Sequence, residues 1–216
     1  MRELVAAICL VALASMLAGQ TGVASAECPG TELPFPAGVP DEFALPTEPT
    51  DPSPALVSYT EEFWPQPTTR LFDAGGNDHA LIHTFSGWPG PVCGARLEIR
   101  LAGQSSSLST NDSVRLELVG GPDPVHAFLY WTTIRNVTGS WGPGSVATLD
   151  LDLSDLPPYV EFPTNILDSL SDGSLDLLVE DDTAVDYATL HVCYCPVSVE
   201  KSSWGRVKAT YAGRSD

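Results

Sequence analysis

Residues 95 to 101 read Ala95-Arg96-Leu97-Glu98-Ile99-Arg100-Leu101, with an aliphatic side chain at every second position and a charged one between. Successive side chains on a β-strand point to opposite faces, so this stretch lays one face on a core and leaves the other in water. The same alternation recurs in Val114, Leu116 and Leu118, in Leu149, Leu151 and Leu153, and in Leu175, Leu177 and Val179. Between these runs stand clusters of turn residues: Gly75-Gly76-Asn77-Asp78, Gly87 to Gly90, Gly103 to Asp112, Gly120 to Pro124 and Gly139 to Gly144. About eight or nine short strands fit between Leu56 and Cys195, and no long helical period separates them. Each apolar face needs an opposing layer. The expected fold is therefore all-β, a two-sheet antiparallel sandwich of the jelly-roll or Greek-key type. One short helix is expected, capped by Thr164, running through Asn165, Ile166, Leu167 and Leu170, and ended by Asp172-Gly173.

Outward from this domain (residues 56–196) the composition changes. Residues 27–55 hold eight prolines, six acidic residues and no basic one. Proline lacks an amide donor, so this segment is not expected to pair as an interior strand. It reads as an extended arm pinned at Cys28 and otherwise loosely ordered. Before it, Arg2, the apolar run Leu4 to Leu17 and the small residues Ala24-Ser25-Ala26 have the form of a secretory signal peptide, with cleavage expected before Glu27. The run is shorter than the ~20 residues of a membrane span. No later stretch is long and apolar enough to act as a transmembrane anchor. The final segment, 197–216, carries Lys201, Arg206, Lys208 and Arg214. There Trp204, Val207 and Tyr211 fall on one helical face, giving a basic amphipathic tail suited to docking on an acidic body or to sorting.

The whole chain has 28 acidic and 10 basic residues, a formal charge of −18. Such a charge repels phosphate backbones and argues against a nucleic-acid partner. It suits calcium, cationic surfaces or simple solvation. Of five cysteines, Cys9 lies in the expected leader, which leaves Cys28, Cys93, Cys193 and Cys195. An even number in an exported chain reads as two disulfides. Cys193 and Cys195 are two apart on a strand, about 7 Å between Cα atoms, so each is expected to bond Cys28 or Cys93 instead. A four-thiolate zinc site is the weaker alternative, because the C-x-C spacing does not match paired C-x-x-C.

The chain has no nucleophile elbow, no H-E-x-x-H, no phosphate-binding glycine loop and no C-x-x-C pair. A glycosidase needs only two carboxylates, for which Glu61, Glu62 and Glu180 are available. The densest acidic group is Glu180, Asp181, Asp182 and Asp186. Like charges this close need hydrogen bonds or a cation. Calcium takes six to eight oxygen ligands. Asp181, Asp182 and Asp186, completed by Asn111 and Asp112 or by Asp73, Asn77 and Asp78, are candidate ligands. The alternative is a plain turn in which the aspartates bond nearby amides. His79 and His83 share a strand face without an identifiable third metal ligand. Trp88 and Trp141 stand in glycine- and proline-rich loops, as sugar-stacking rings or as plugs of the sandwich ends.

Four stretches carry a resemblance: Asp78 to Gly87, Ala95 to Leu101, Ser109 to Val114 and Val179 to Leu190. Together they resemble a group of secreted bacterial β-sandwich proteins with no established activity. The tail Ser203-Trp204-Gly205-Arg206-Val207-Lys208 resembles short C-terminal tails on exported proteins of some bacterial lineages. The resemblance implies the sandwich fold and export, and it brings no catalytic residues. The reading is a secreted, non-catalytic structural or ligand-binding module of the cell surface or matrix, with calcium as its candidate ion; the alternatives are a carbohydrate-binding module using Trp88 or Trp141 and a small glycosidase or lyase. Polysaccharide or other cell-surface components are its candidate partners.

Overall fold

The computed structural model describes residues 28–195 apart from 45, 47, 65, 77 and 121–126. The expected signal peptide and basic tail lie outside the described residues. Nine strands form among the described residues: β1 (Thr31–Gly38), β2 (Thr68–Thr69), β3 (His79–Ser86), β4 (Val92–Gly103), β5 (Ser113–Leu118), β6 (Phe128–Thr133), β7 (Val146–Asp152), β8 (Ser174–Asp181) and β9 (Thr183–Tyr194). One sheet has the order β1-β9-β4-β7 and the other β2-β3-β8-β5-β6. The two-residue β2 pairs parallel to β3 at a sheet edge, and the other pairs are antiparallel. Setting β2 aside, the eight remaining strands are wound as a jelly roll, the chain passing between layers at every step except β5 to β6.

The alternation seen in the sequence is the inter-sheet core. Leu97, Ile99, Leu101, Leu149 and Leu151 from one sheet meet Leu81, Val114, Leu116, Leu175, Leu177 and Val179 from the other, all essentially buried. On the four-stranded sheet their charged neighbours lie on the outer face and pair across strands, as Arg96 does with Asp150 at 3.1 Å. Trp88 and Trp141 close this core.

The outer face of the five-stranded sheet is also covered. Helix α1 (Pro54–Phe63) sets Leu56 and Tyr59 against Ala80, Ile82, Phe128 and Leu178. A helix here departs from the strand pattern expected from Leu56 onward. The local chemistry nonetheless specifies one. Ser53 is the N-cap, its side chain accepting from the Leu56 amide at 3.1 Å, and Pro54 fills the first turn where no amide donor is needed. The helix expected from Thr164 is a 3-10 turn, Leu167–Asp172, with no side-chain cap, closed by Gly173 at φ 85°. A further short helix, α2 (Ile134–Thr138), follows β6.

The proline-rich arm supplies β1, an edge strand paired with β9 along its whole length. Pro34 and Pro36 are two apart, so both missing amides fall on the same side of the strand, which at an edge is the open side. Disulfides join Cys28 to Cys193 and Cys93 to Cys195, with Cα separations of 5.6 and 5.2 Å. The β4–β9 register shifts between Val92 and Gly94, setting Cys93 in a bulge, and Gly94 rather than Cys93 stands opposite Cys193.

Candidate metal centre

β8 and β9 belong to different sheets, and Asp182 alone separates them. The chain therefore turns the corner between layers at Asp181-Asp182, and Asp181 takes φ 72° to do so. The corner is held from the β4–β5 connection. The Gln104 amide donates to the Asp182 carbonyl at 2.8 Å, and Ser107 Oγ donates to the same oxygen. The β2–β3 connection closes the other side, where the Asp78 amide donates to Asp182 Oδ1 at 2.7 Å.

These contacts bring Asp78, Asp181 and Asp182 together, one carboxylate oxygen of each lying within 4.8 Å of the others. That is the largest separation of two oxygens sharing one calcium at about 2.4 Å. Asp181 and Asp182 are each 4 % exposed. Asn111 Nδ2 donates to Asp181 Oδ2, while Asp181 Oδ1 and Asn111 Oδ1 are buried without hydrogen-bond partners. Burial raises the Asp181 pKa to about 6, assisted by the carboxylates of Asp182, Asp112, Asp78 and Glu180. Among the described residues Arg70 pairs with Glu61, Arg96 with Glu98 and Asp150, Arg100 with Glu42 and Arg115 with Glu180. The oxygen-only donor set is that of a hard cation.

The residues named from sequence are thus sorted into different places. Asp181, Asp182 and Asn111 meet at the corner. Asp112 stands beside them, but its carboxylate is occupied: it accepts from Trp141 Nε1 at 2.6 Å, Thr183 Oγ1 at 3.0 Å and the Leu108 amide at 3.2 Å. It is a structural knot and not a free ligand. Asp186 leaves the group altogether and joins Asp41 and Asp73. Asp78, named only as an accessory, is a central member, and Asn77 lies outside the described residues. The Gly-Gly-Asn-Asp turn chemistry marked that loop, but its distance in sequence hid its partner.

The two tryptophans are plugs. Trp88 is 3 % exposed and donates to the Leu170 carbonyl at 2.8 Å, and Trp141 is 7 % exposed with its indole N–H on Asp112. Sugar stacking needs an open ring face, which neither presents. His83 Nδ1 accepts from the Asp51 amide at 3.1 Å, and burial lowers its pKa to about 4. His79 Nδ1 meets the Gly76 carbonyl at 3.0 Å. Glu180 is held by Arg115 at 3.0 and 3.1 Å, under a guanidinium sandwiched between Trp64 and Trp131. Among the described residues no helix is long and apolar enough to cross a membrane. No family model matches the chain, and no match is found among the curated proteins or the solved structures.

Proposed function

We propose that this chain is an exported β-sandwich module that works by binding and display rather than turnover, and that calcium at the β8–β9 corner stabilises it. The observation that carries this reading is Asp181: a carboxylate 4 % exposed, with one oxygen unpartnered, facing two further carboxylates. A buried ionised carboxylate without a counter-charge is strongly disfavoured, and a bound cation removes the penalty. Asp78, Asp181 and Asp182 would hold the ion, with Asn111 Oδ1 as a neutral oxygen beside them. Such an ion ties three connections from both sheets and rigidifies that end of the sandwich.

Export is supported by the leader-like N-terminal sequence and by the two disulfides, a bonding state favoured in oxidising compartments. Extracellular calcium is abundant enough for a site of modest affinity. Polysaccharide or cell-surface components are the partners proposed for such a module.

Thermal unfolding tests the calcium role. Calcium at about 100 times its Kd adds about 2.7 kcal/mol to stability, a rise in Tm of several degrees. A chelator reverses the rise, and Asp181→Asn diminishes it. A melting temperature indifferent to both calcium and chelator would remove the ion from the account.

A further inference from the structure

A second acidic group shares no residue with the first. Asp41, Asp73 and Asp186 each place a carboxylate oxygen within 4.8 Å of the other two. They come from three segments: the loop after β1, the β2–β3 connection and the start of β9.

Their surroundings differ. Asp186 sits at a register shift between Arg100 and Leu101 of β4, and its Oδ1 accepts the amides of Asp41 and Phe43 at 3.2 and 3.3 Å. The loop aims those amides by taking Glu42 and Phe43 to φ of 63° and 62°. Gly38 permits the close approach, since a Cβ there would lie 2.6 Å from the Asp186 carbonyl. Asp41 Oδ1 accepts the Ala44 amide at 2.9 Å.

Asp73 receives no donor from outside the group. It is 8 % exposed, both its carboxylate oxygens are buried, and the polar group they meet is another carboxylate, that of Asp186. Its backbone is pinned at φ 60°, the amide donating to the Val185 carbonyl at 2.8 Å, so the side chain is committed to the group it faces. A carboxylate so placed, beside two others, lacks only a cation.

We propose that Asp41, Asp73 and Asp186 form a second calcium site, and that its ion fastens the loop after β1 to the body of the sandwich. The donors are all oxygens, which suits calcium and not a thiolate- or imidazole-seeking metal. β1 is thereby secured on both sides: by Cys28 before it and by the ion after it.

Calcium stoichiometry tests this. The intact protein is stripped with chelator, dialysed and titrated with calcium by calorimetry, alongside Asp41→Asn, Asp73→Asn and Asp181→Asn. Asp41 is exposed, so its substitution leaves the fold intact, and asparagine tolerates the positive φ at position 73. The expected result is two ions for the parent and one for each variant. If Asp41→Asn and Asp73→Asn bind as many ions as the parent, the second site is overturned, whatever becomes of the first. If the parent binds one ion that is lost in Asp73→Asn but kept in Asp181→Asn, the second site stands and the corner site fails.

Discussion

The carboxylate of Asp112 accepts three hydrogen bonds, from Trp141, Thr183 and Leu108, whereas the neighbouring Asp181 has an oxygen with none. Both are aspartates in one acidic end of the molecule, and nothing in the local sequence separates them. What separates them is the supply of side-chain donors, which comes to Asp112 from Trp141 and Thr183, remote in the chain. The acidic run at Glu180 to Asp186 was therefore legible as a charge problem needing a solution. Which carboxylates share an ion was not. Glu117 poses the same problem away from any proposed ion. Burial raises its pKa to about 7, helped by the carboxylate of Asp176 and opposed by a hydrogen bond from the Asp176 amide. A glutamate whose folded pKa exceeds its unfolded value binds more protons folded than unfolded between the two. Stability then rises as pH falls from about 7 towards the ordinary glutamate value, and the ionised form destabilises the fold above that window. Glu117→Gln mimics the protonated acid. It should raise Tm by a few degrees near pH 8 and change it little near pH 5. A loss of Tm near pH 8 would mean that the charge itself is used.

Among the elements, the strands were the most legible, because a strict period of two has only one reading once the runs are short and bounded by glycine. Helix α1 was the least legible. Its apolar contacts rest on Leu56 and Tyr59, too few for a clear helical period, and the prolines before it suggest an arm. Ser53 followed by Pro54 was the available signal. The helix matters because it buries the outer face of β8, where Leu178 is as inaccessible as Leu177 on the inner face. Leu56 is fully buried beneath it. Leu56→Ala should lower stability by about 2–5 kcal/mol in urea unfolding, the usual range for a truncated core leucine. A loss below about 1 kcal/mol would show that α1 rests on the sheet without holding it.

Across the molecule, the jelly-roll winding explains why acids remote in sequence converge. The chain crosses from one sheet to the other after β1, β3, β4, β6, β7 and β8, while the β2–β3 and β5–β6 connections stay within one sheet, so connections from both layers meet at the ends of the sandwich. The β2–β3 connection supplies Asp73 to one group and Asp78 to the other, and the start of β9 and its preceding corner answer with Asp186 and with Asp181 and Asp182. Two disulfides anchor the last residues of β9, linking them to the N-terminal arm and to β4. The most direct test is diffraction from crystals grown with calcium, and with terbium for its anomalous signal. The account predicts a peak about 2.3–2.6 Å from carboxylate oxygens of Asp78, Asp181 and Asp182. A corner free of any ion, with Asp181 Oδ1 instead sharing a proton with a neighbouring carboxylate, would contradict it.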